Sequence, residues 1–189
     1  MNEMQNDNIS SDQKLLKKLR KKAELCRFCH SELKEKYTKY RNWKEFSVIL
    51  LSSISVALIG LYYRGALMYE WVLLLIFILP LVITIGQALD HTVFQWTHKM
   101  ARHESAVAIW GDWIREADFI EKRIYRYSDD LANEKMRNMQ KKYNGCMSNT
   151  EQIPSDKFLQ YKKKFRACLL KSRKIDGMSL DEIEKNEKE

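Results

Sequence analysis

Glycine and proline are scarce in this chain, 6 and 2 among 189 residues. Catalytic groups are commonly carried on loops, and so few turn formers leave little loop to carry them. The G-x-x-x-x-G-K-[ST] loop, G-x-G-x-x-G, G-x-S-x-G and H-E-x-x-H are all missing. Carboxylates are plentiful, but they fall in charge-paired helical patterns such as Glu116 with Lys122 and Arg123. An enzyme is not expected, and neither is a cofactor. An N-terminal apolar leader is lacking as well: the first 13 residues are polar overall, so no signal peptide is expected. Asn2 after Met1 excludes myristoylation, and the last residues form no prenylation box.

Charge is missing from two long stretches, residues 46–63 (FSVILLSSISVALIGLYY) and 71–89 (WVLLLIFILPLVITIGQAL). The hydrophobic fraction of 45% and mean hydropathy of −0.49 resemble a soluble protein, but these averages hide the concentration of apolar residues. As helices the stretches reach about 27–29 Å, the thickness of a bilayer core. A pair of buried soluble helices is the competing reading. It lacks support because no charge interrupts either stretch and the remainder is too small to bury both. The seven-residue link, 64–70, makes the spans an antiparallel hairpin. Trp43, Phe46, Phe94 and Trp96 mark one interface; Tyr62, Tyr63, Tyr69 and Trp71 mark the other.

The charge that is present is mostly positive, with 33 Lys+Arg against 25 Asp+Glu and a net +8. Arg27, Lys34, Lys36, Lys39, Arg41 and Lys44 precede the first span, Lys99 and Arg102 follow the second, and the link holds only Arg64. The positive-inside rule then places both termini in the cytoplasm. The expected fold is an all-α membrane protein, a two-span hairpin with long N- and C-terminal cytoplasmic helices packed as a bundle. Its segments are a disordered 1–11, a basic helix 12–45, the hairpin 46–89, a long amphipathic helix 90–143, a loop 144–155, a basic helix 156–174 and an acidic tail 175–189.

Periodicity carries the cytoplasmic assignments. Leu15, Leu19, Cys26, Cys29, Leu33, Tyr37 and Tyr40 form a stripe before the first span, with Ser10 and Gln13 at capping-box spacing. Val93, Trp96, Met100, Val107, Trp110, Ile114, Ala117, Ile120, Ile124, Tyr127 and Leu131 form another, with steps near 3.6. It is not a strict heptad. A helix that long needs partners for its stripe, from the N-terminal helix and from another copy of the chain. In the last helix Phe158, Tyr161, Phe165, Cys168 and Leu169 make an apolar side. Lys162, Lys163, Lys164 and Arg166 are among the surrounding cations. A solvated face is the simpler reading; contact with anionic lipid or a nucleotide is the alternative. No specific nucleic-acid partner is implied.

Cys26-Arg-Phe-Cys29-His30 has the C-x-x-C-H spacing of covalent haem attachment. It sits on a helix stripe at the inward-facing end, where such haem does not belong. Cys26, Cys29 and His30 offer three zinc ligands without a second close pair, and Cys146 and Cys168 are isolated. Four reduced thiols and no metal are expected. His91, Gln95, His98 and Arg102 share one polar face of the long helix, either a solvated face or a vestibule lining.

The informative residues are polar groups in and beside the spans. Pro80, Thr84, Gln87 and His91 step by four, three and four, one helical face, with Asp90 beside them. Pro80 can kink its helix, and Gln87 in hydrocarbon needs a partner or water. The first span offers Ser52 and Ser55. Helix–helix glue and pore lining both fit this pattern, with Gly60 and Gly86 permitting close approach. One hairpin cannot enclose water, so a pore needs several copies.

A basic N-terminal helix, a tight two-span hairpin holding FSVILLSSISVALIGLYY and LVITIGQALDHTVFQW, and a long helix emerging from the second span together resemble the SLATT domain family. The resemblance runs from about residue 12 to 174, and it rests on architecture more than on a sharp motif. It implies a two-transmembrane effector of bacterial antiviral, abortive-infection systems. Such an effector forms a membrane pore or disrupts the membrane when an upstream sensor or nucleotide signal triggers it. On this reading Thr84, Gln87 and Asp90, then Ser52 and Ser55, line the pore. The alternative is a membrane-anchored interaction or scaffold protein with no pore.

Overall fold

The computed structural model describes residues 2–65 and 69–175, with side chains for 13–65, 69–128 and 130–172. The acidic tail from residue 176 and link residues 66–68 lie outside the described residues. Among the described residues there is no strand. The helices are α1 (Asn2–Tyr63), α2 (Glu70–Leu89), α3 (Trp96–Glu121), α4 (Asp129–Asn149) and α5 (Ser155–Ile175). Segment 1–11 was expected to be disordered, yet α1 begins at Asn2 and runs without a break into the apolar stretch. It stops where Gly65 adopts a left-handed φ of 71°, a conformation that costs glycine little.

The chain divides into two compact units, Met1–Leu33 with Arg102–Glu189, and Lys34–Ala101. The first is a helical bundle. Leu16 and Ala23 of α1 pack with Trp110, Trp113, Ala117 and Ile120 of α3, Ile124, and Ala132, Met136 and Met139 of α4. The α1 stripe keeps Leu19, Cys26, Cys29 and Leu33 of the sequence reading, but starts at Leu16 instead of Leu15. Leu16 is buried and Leu15 is 39% exposed, because Leu16, Leu19, Ala23, Cys26, His30 and Leu33 alternate steps of three and four. Ala23, too small to stand out in the sequence, sets that phase. Arg20 ties the α1 side of the core to Asp118 and Glu121 at 3.2 and 2.5 Å.

The expected single helix 90–143 is not formed. It breaks twice, with neither glycine nor proline at the breaks. Between α3 and α4 the chain passes through a 3₁₀ turn at Ile124–Arg126. The extended Ser128 then lets α4 fold back on α3. Burial explains this. Ala132, Met136, Met139, Tyr143 and Cys146 recur every three or four residues, and folding back covers that stripe with the chain's own α3. Leu131, assigned to the stripe from sequence, is 38% exposed. The Trp113 indole N–H donates to the Met139 carbonyl at 3.2 Å, and Tyr143 meets Trp110 and Trp113 edge-on. With Tyr143 and Cys146 held this way, α4 continues past Asn144-Gly145 to Asn149. The loop therefore shortens from the expected 144–155 to 150–154.

The second break lies inside the other unit. After α2 the chain makes a π-helical turn, Asp90–Phe94, closed by the Gln95 N–H on the Asp90 carbonyl at 2.7 Å. Gln95 takes a left-handed φ of 50°, which costs a residue with a Cβ about 1–2 kcal/mol. Gln95→Gly is expected to raise stability by up to about 1 kcal/mol, read as a higher melting temperature in detergent. Gln95→Val is expected to lower it.

Among the described residues two helical stretches are long and apolar enough to cross a membrane, and only 6% of each apolar window is buried within the chain. The core helices of a soluble protein would be mostly buried. Within this unit Val72 is fully buried and Ser55 is 6% exposed. Pro80 sits inside α2 without ending it.

Candidate functional site

Most hydroxyls of the apolar stretches are satisfied by their own helix. Ser47, Ser53, Ser55 and Thr84 each donate to the carbonyl four residues back, at 2.9 Å in every case. This bond removes the cost of placing a hydroxyl in an apolar medium. Thr84 uses the Pro80 carbonyl and keeps its oxygen lone pairs outward, on an exposed face. Ser52 is exposed, whereas Ser55 is buried against its own chain. Gln87 differs from all of these. Its side chain is exposed, and no bond to its carboxamide occurs among the described residues. An amide has four hydrogen-bonding positions that a neighbouring hydroxyl cannot fill alone.

Asp90 does not stand open as a lining group. It is 7% exposed, ion-paired with Lys44 and accepting from the Trp96 backbone N–H at 3.3 Å. Burial opposes its ionisation. The Lys44 ammonium, the Trp96 N–H and His91 together outweigh burial and hold the carboxyl below its usual range. The ring of Trp96 packs in turn against Tyr40 and Phe94 at centroid distances of 5.7 and 5.0 Å. Asp90 is thus the anchor of the π-helical turn.

His91 and His98 are exposed, as is Arg102, while Gln95 is half-buried. The left-handed Gln95 interrupts the helix that would have aligned the four, so the shared face expected from sequence is not formed. In α5, Lys164 pairs with Glu32 at 2.5 Å and the Phe165 ring lies tilted against Phe28 at a centroid distance of 5.2 Å. Lys163 and Arg166 are exposed, and Lys162 is half-buried. The basic side of α5 is therefore partly committed to the bundle.

The bundle unit also contains a site that sequence reasoning passed over. His30 of α1 and His103 of α3, 1% and 2% exposed, bring their Nδ1 atoms within 3.0 Å. One ring must carry Nδ1–H while the other accepts. Burial, then the neighbouring His103, lowers His30 to about 4; burial also lowers His103, with Glu151 opposing. Both rings are therefore neutral at pH 7. His30 lies in the C-x-x-C-H run, but the adjacent thiols are held protonated. Burial, Cys26 and Glu32 push Cys29 up to about 12, and burial raises Cys26. Among the described residues no group of three His, Cys, Asp or Glu side chains could hold a metal ion. The signal available in the sequence was the 3–4 alternation, which places His30 on the buried stripe; its partner, 73 positions away, was not readable.

The pair makes stability pH-dependent. Above pH 6.5 neither the folded nor the unfolded chain protonates His30. As pH falls from 6.5 towards 4 the unfolded chain takes up a proton that the folded chain refuses, and stability declines across that window. Replacing His103 alone by Leu is expected to cost about 1–3 kcal/mol, because it strands the buried His30 nitrogen. The double variant His30→Leu/His103→Leu should recover part of this and lose this contribution to the pH 7 versus pH 5 difference. Thermal unfolding at the two pH values measures both effects.

Comparison of the chain with family models, with curated proteins and with solved structures finds no match.

Proposed function

We propose that this chain is a pore-forming or membrane-disrupting effector of the SLATT type, part of a bacterial antiviral system of the abortive-infection kind. In this reading 46–63 and 71–89 cross the inner membrane as a hairpin with both termini in the cytoplasm. Several copies associate, and an upstream sensor protein or nucleotide signal shifts their packing. The observation that carries the reading is Gln87. It is an exposed carboxamide on an apolar helix, with no partner for its side chain among the described residues. In hydrocarbon such a group demands water or a partner from another molecule, and either answer requires more than one copy. Thr84, one turn away on the same face, adds outward lone pairs. Uncharged amide and hydroxyl groups replace an ion's hydration poorly, so weak selectivity follows.

Induced expression in bacteria with a voltage-sensitive dye tests this. The wild-type chain, with its trigger supplied if one is needed, is expected to collapse the membrane potential. A chain whose span residues are scrambled at constant composition should insert without doing so. Scrambled spans that leave the cellular function intact would support the anchor or scaffold reading instead.

A further inference from the structure

The unit Lys34–Ala101 has an open groove of about 410 Å³ lined by both apolar helices. Its wall is hydrocarbon for most of its length, with Val48 and Leu51 from α1 and Val82, Ile83 and Leu89 from α2. The one hydroxyl among them, on Ser47, is turned back to the Trp43 carbonyl at 2.9 Å. Gly86 also lines the groove, and a Cβ added there would meet nothing within 4 Å. Glycine inside a helix costs stability. Within a span it is usually repaid by the close approach of a neighbouring helix. That approach, expected from sequence, is not made at Gly86 within the chain, and the space it leaves belongs to the groove.

The other end of the groove is chemically different. Tyr40, Trp43, Lys44 and Trp96 line it, residue types that favour the level of lipid headgroups. Lys44 is paired with Asp90, yet its side chain stays 25% exposed, and an ammonium has three N–H groups to give. Trp43 is 67% exposed, and its indole N–H has no bond among the described residues. The only carboxylate at hand, Asp90, is neutralised by Lys44 and buried, so an acceptor entering here meets donors and no net repulsion. Donors at one end and hydrocarbon along the rest match a molecule with an acceptor-rich head and an apolar chain. A helix from a second copy would bring the apolar part without the head.

We propose that this groove holds one phospholipid molecule. An acyl chain lies along Val48, Leu51, Val82 and Ile83 and passes over Gly86. The phosphodiester accepts from the Lys44 ammonium and the Trp43 indole N–H. The phosphodiester is common to phospholipids, so the site selects for phosphate and chain rather than for one head alcohol. A lipid held there packs where the chain's own atoms leave a gap, beside the Lys44–Asp90 pair that anchors the π-helical turn. The inference rests on the reading that 46–63 and 71–89 cross a membrane, and it does not require a pore.

Native mass spectrometry of the full chain, purified in detergent and depleted of lipid, tests the proposal. The probes are dioleoyl phosphatidylglycerol, dioleoyl phosphatidylethanolamine and dioleoylglycerol, which share their chains. One phospholipid per chain is expected to bind saturably, with dioleoylglycerol at least about tenfold weaker. Gly86→Leu fills the open space with a better helix former and should weaken phospholipid binding about tenfold or more. Gly60→Leu is the matched control: a Cβ there also meets nothing within 4 Å, but Gly60 does not line the groove, and binding should stay at the wild-type level. If Gly86→Leu fails to fold, Trp43→Phe keeps a ring, removes the N–H and should weaken binding severalfold. The proposal is overturned if neither phospholipid binds saturably, if dioleoylglycerol binds equally well, or if the folded groove variant binds like the wild type. A lipid-free dimer that Gly86→Leu dissociates would assign the groove to a second copy and overturn it too. Alkaline carbonate extraction of cell membranes separates this failure from that of the spanning reading. A chain that resists extraction yet holds no lipid overturns the lipid site alone, whereas a chain released by carbonate overturns both.

Discussion

The double variant Thr84→Leu/Gln87→Leu is expected to reach the membrane at wild-type level and to leave the membrane potential intact. Insertion should not suffer, since leucine is more favourable than either residue at the centre of a span. Folding within one chain should change little, because Thr84 bonds only its own helix and Gln87 makes no side-chain bond among the described residues. What disappears is the polar face that, in the proposed assembly, copies of α2 would turn towards water or towards each other. Dye-reported depolarisation, beside quantified membrane-fraction protein, measures the effect. Full depolarisation by a correctly inserted double variant would remove these residues from any conducting path. Ser52, more weakly placed on α1, would then be the next position to examine.

Lys44→Met is expected to destabilise the unit formed by Lys34–Ala101 by about 3–5 kcal/mol, the usual cost of leaving a buried charge without its partner. Asp90 is 7% exposed and has few alternatives. Its other bond, from the Trp96 N–H, is neutral and long at 3.3 Å. The stranded carboxyl should escape by taking up a proton, so the variant's stability should improve as pH is lowered towards the carboxylate range. The wild type should behave in the opposite sense. Its Asp90 is held below the usual value, so the pair's contribution is present at neutral pH and lost as acid protonates the carboxyl. Adding Asp90→Asn to Lys44→Met should restore most of the loss while keeping an acceptor for the Trp96 N–H. Melting temperatures of the four chains in detergent form a double-mutant cycle; a coupling near zero would show that the pair does not hold the π-helical turn.

Much of this chain was legible without coordinates. Two charge-free stretches of bilayer length announce two apolar helices, because composition over that length sets hydropathy. Wherever apolar residues recur every three or four positions, as at Phe158, Tyr161 and Phe165, helix follows from period alone. The α5 helix starts and ends within about one residue of its expected bounds, since Pro154 and Ser155 are local signals read by the backbone itself. Among the polar residues of the spans, Gln87 was already conspicuous by chemistry, whatever its surroundings.

The remainder was decided by contacts distant in sequence. An apolar stripe shows that a helix must be covered but does not name the cover. Folding α4 back on α3 is as compatible with the period as one long helix, and the burial of Met136 and Met139 under Trp113 selects it. The π-helical turn at Asp90–Phe94 has no glycine or proline to advertise it; the carboxylate's pull towards Lys44, 46 positions away, and the packing of Trp96 create it. The same holds for His30 and His103, which nothing in the sequence pairs and which become a neutral buried pair only when α1 meets α3. Local period and composition determine what each segment is, because those forces act over one or two turns. Which segments meet depends on desolvation and complementary side chains, quantities defined only once the chain has closed on itself.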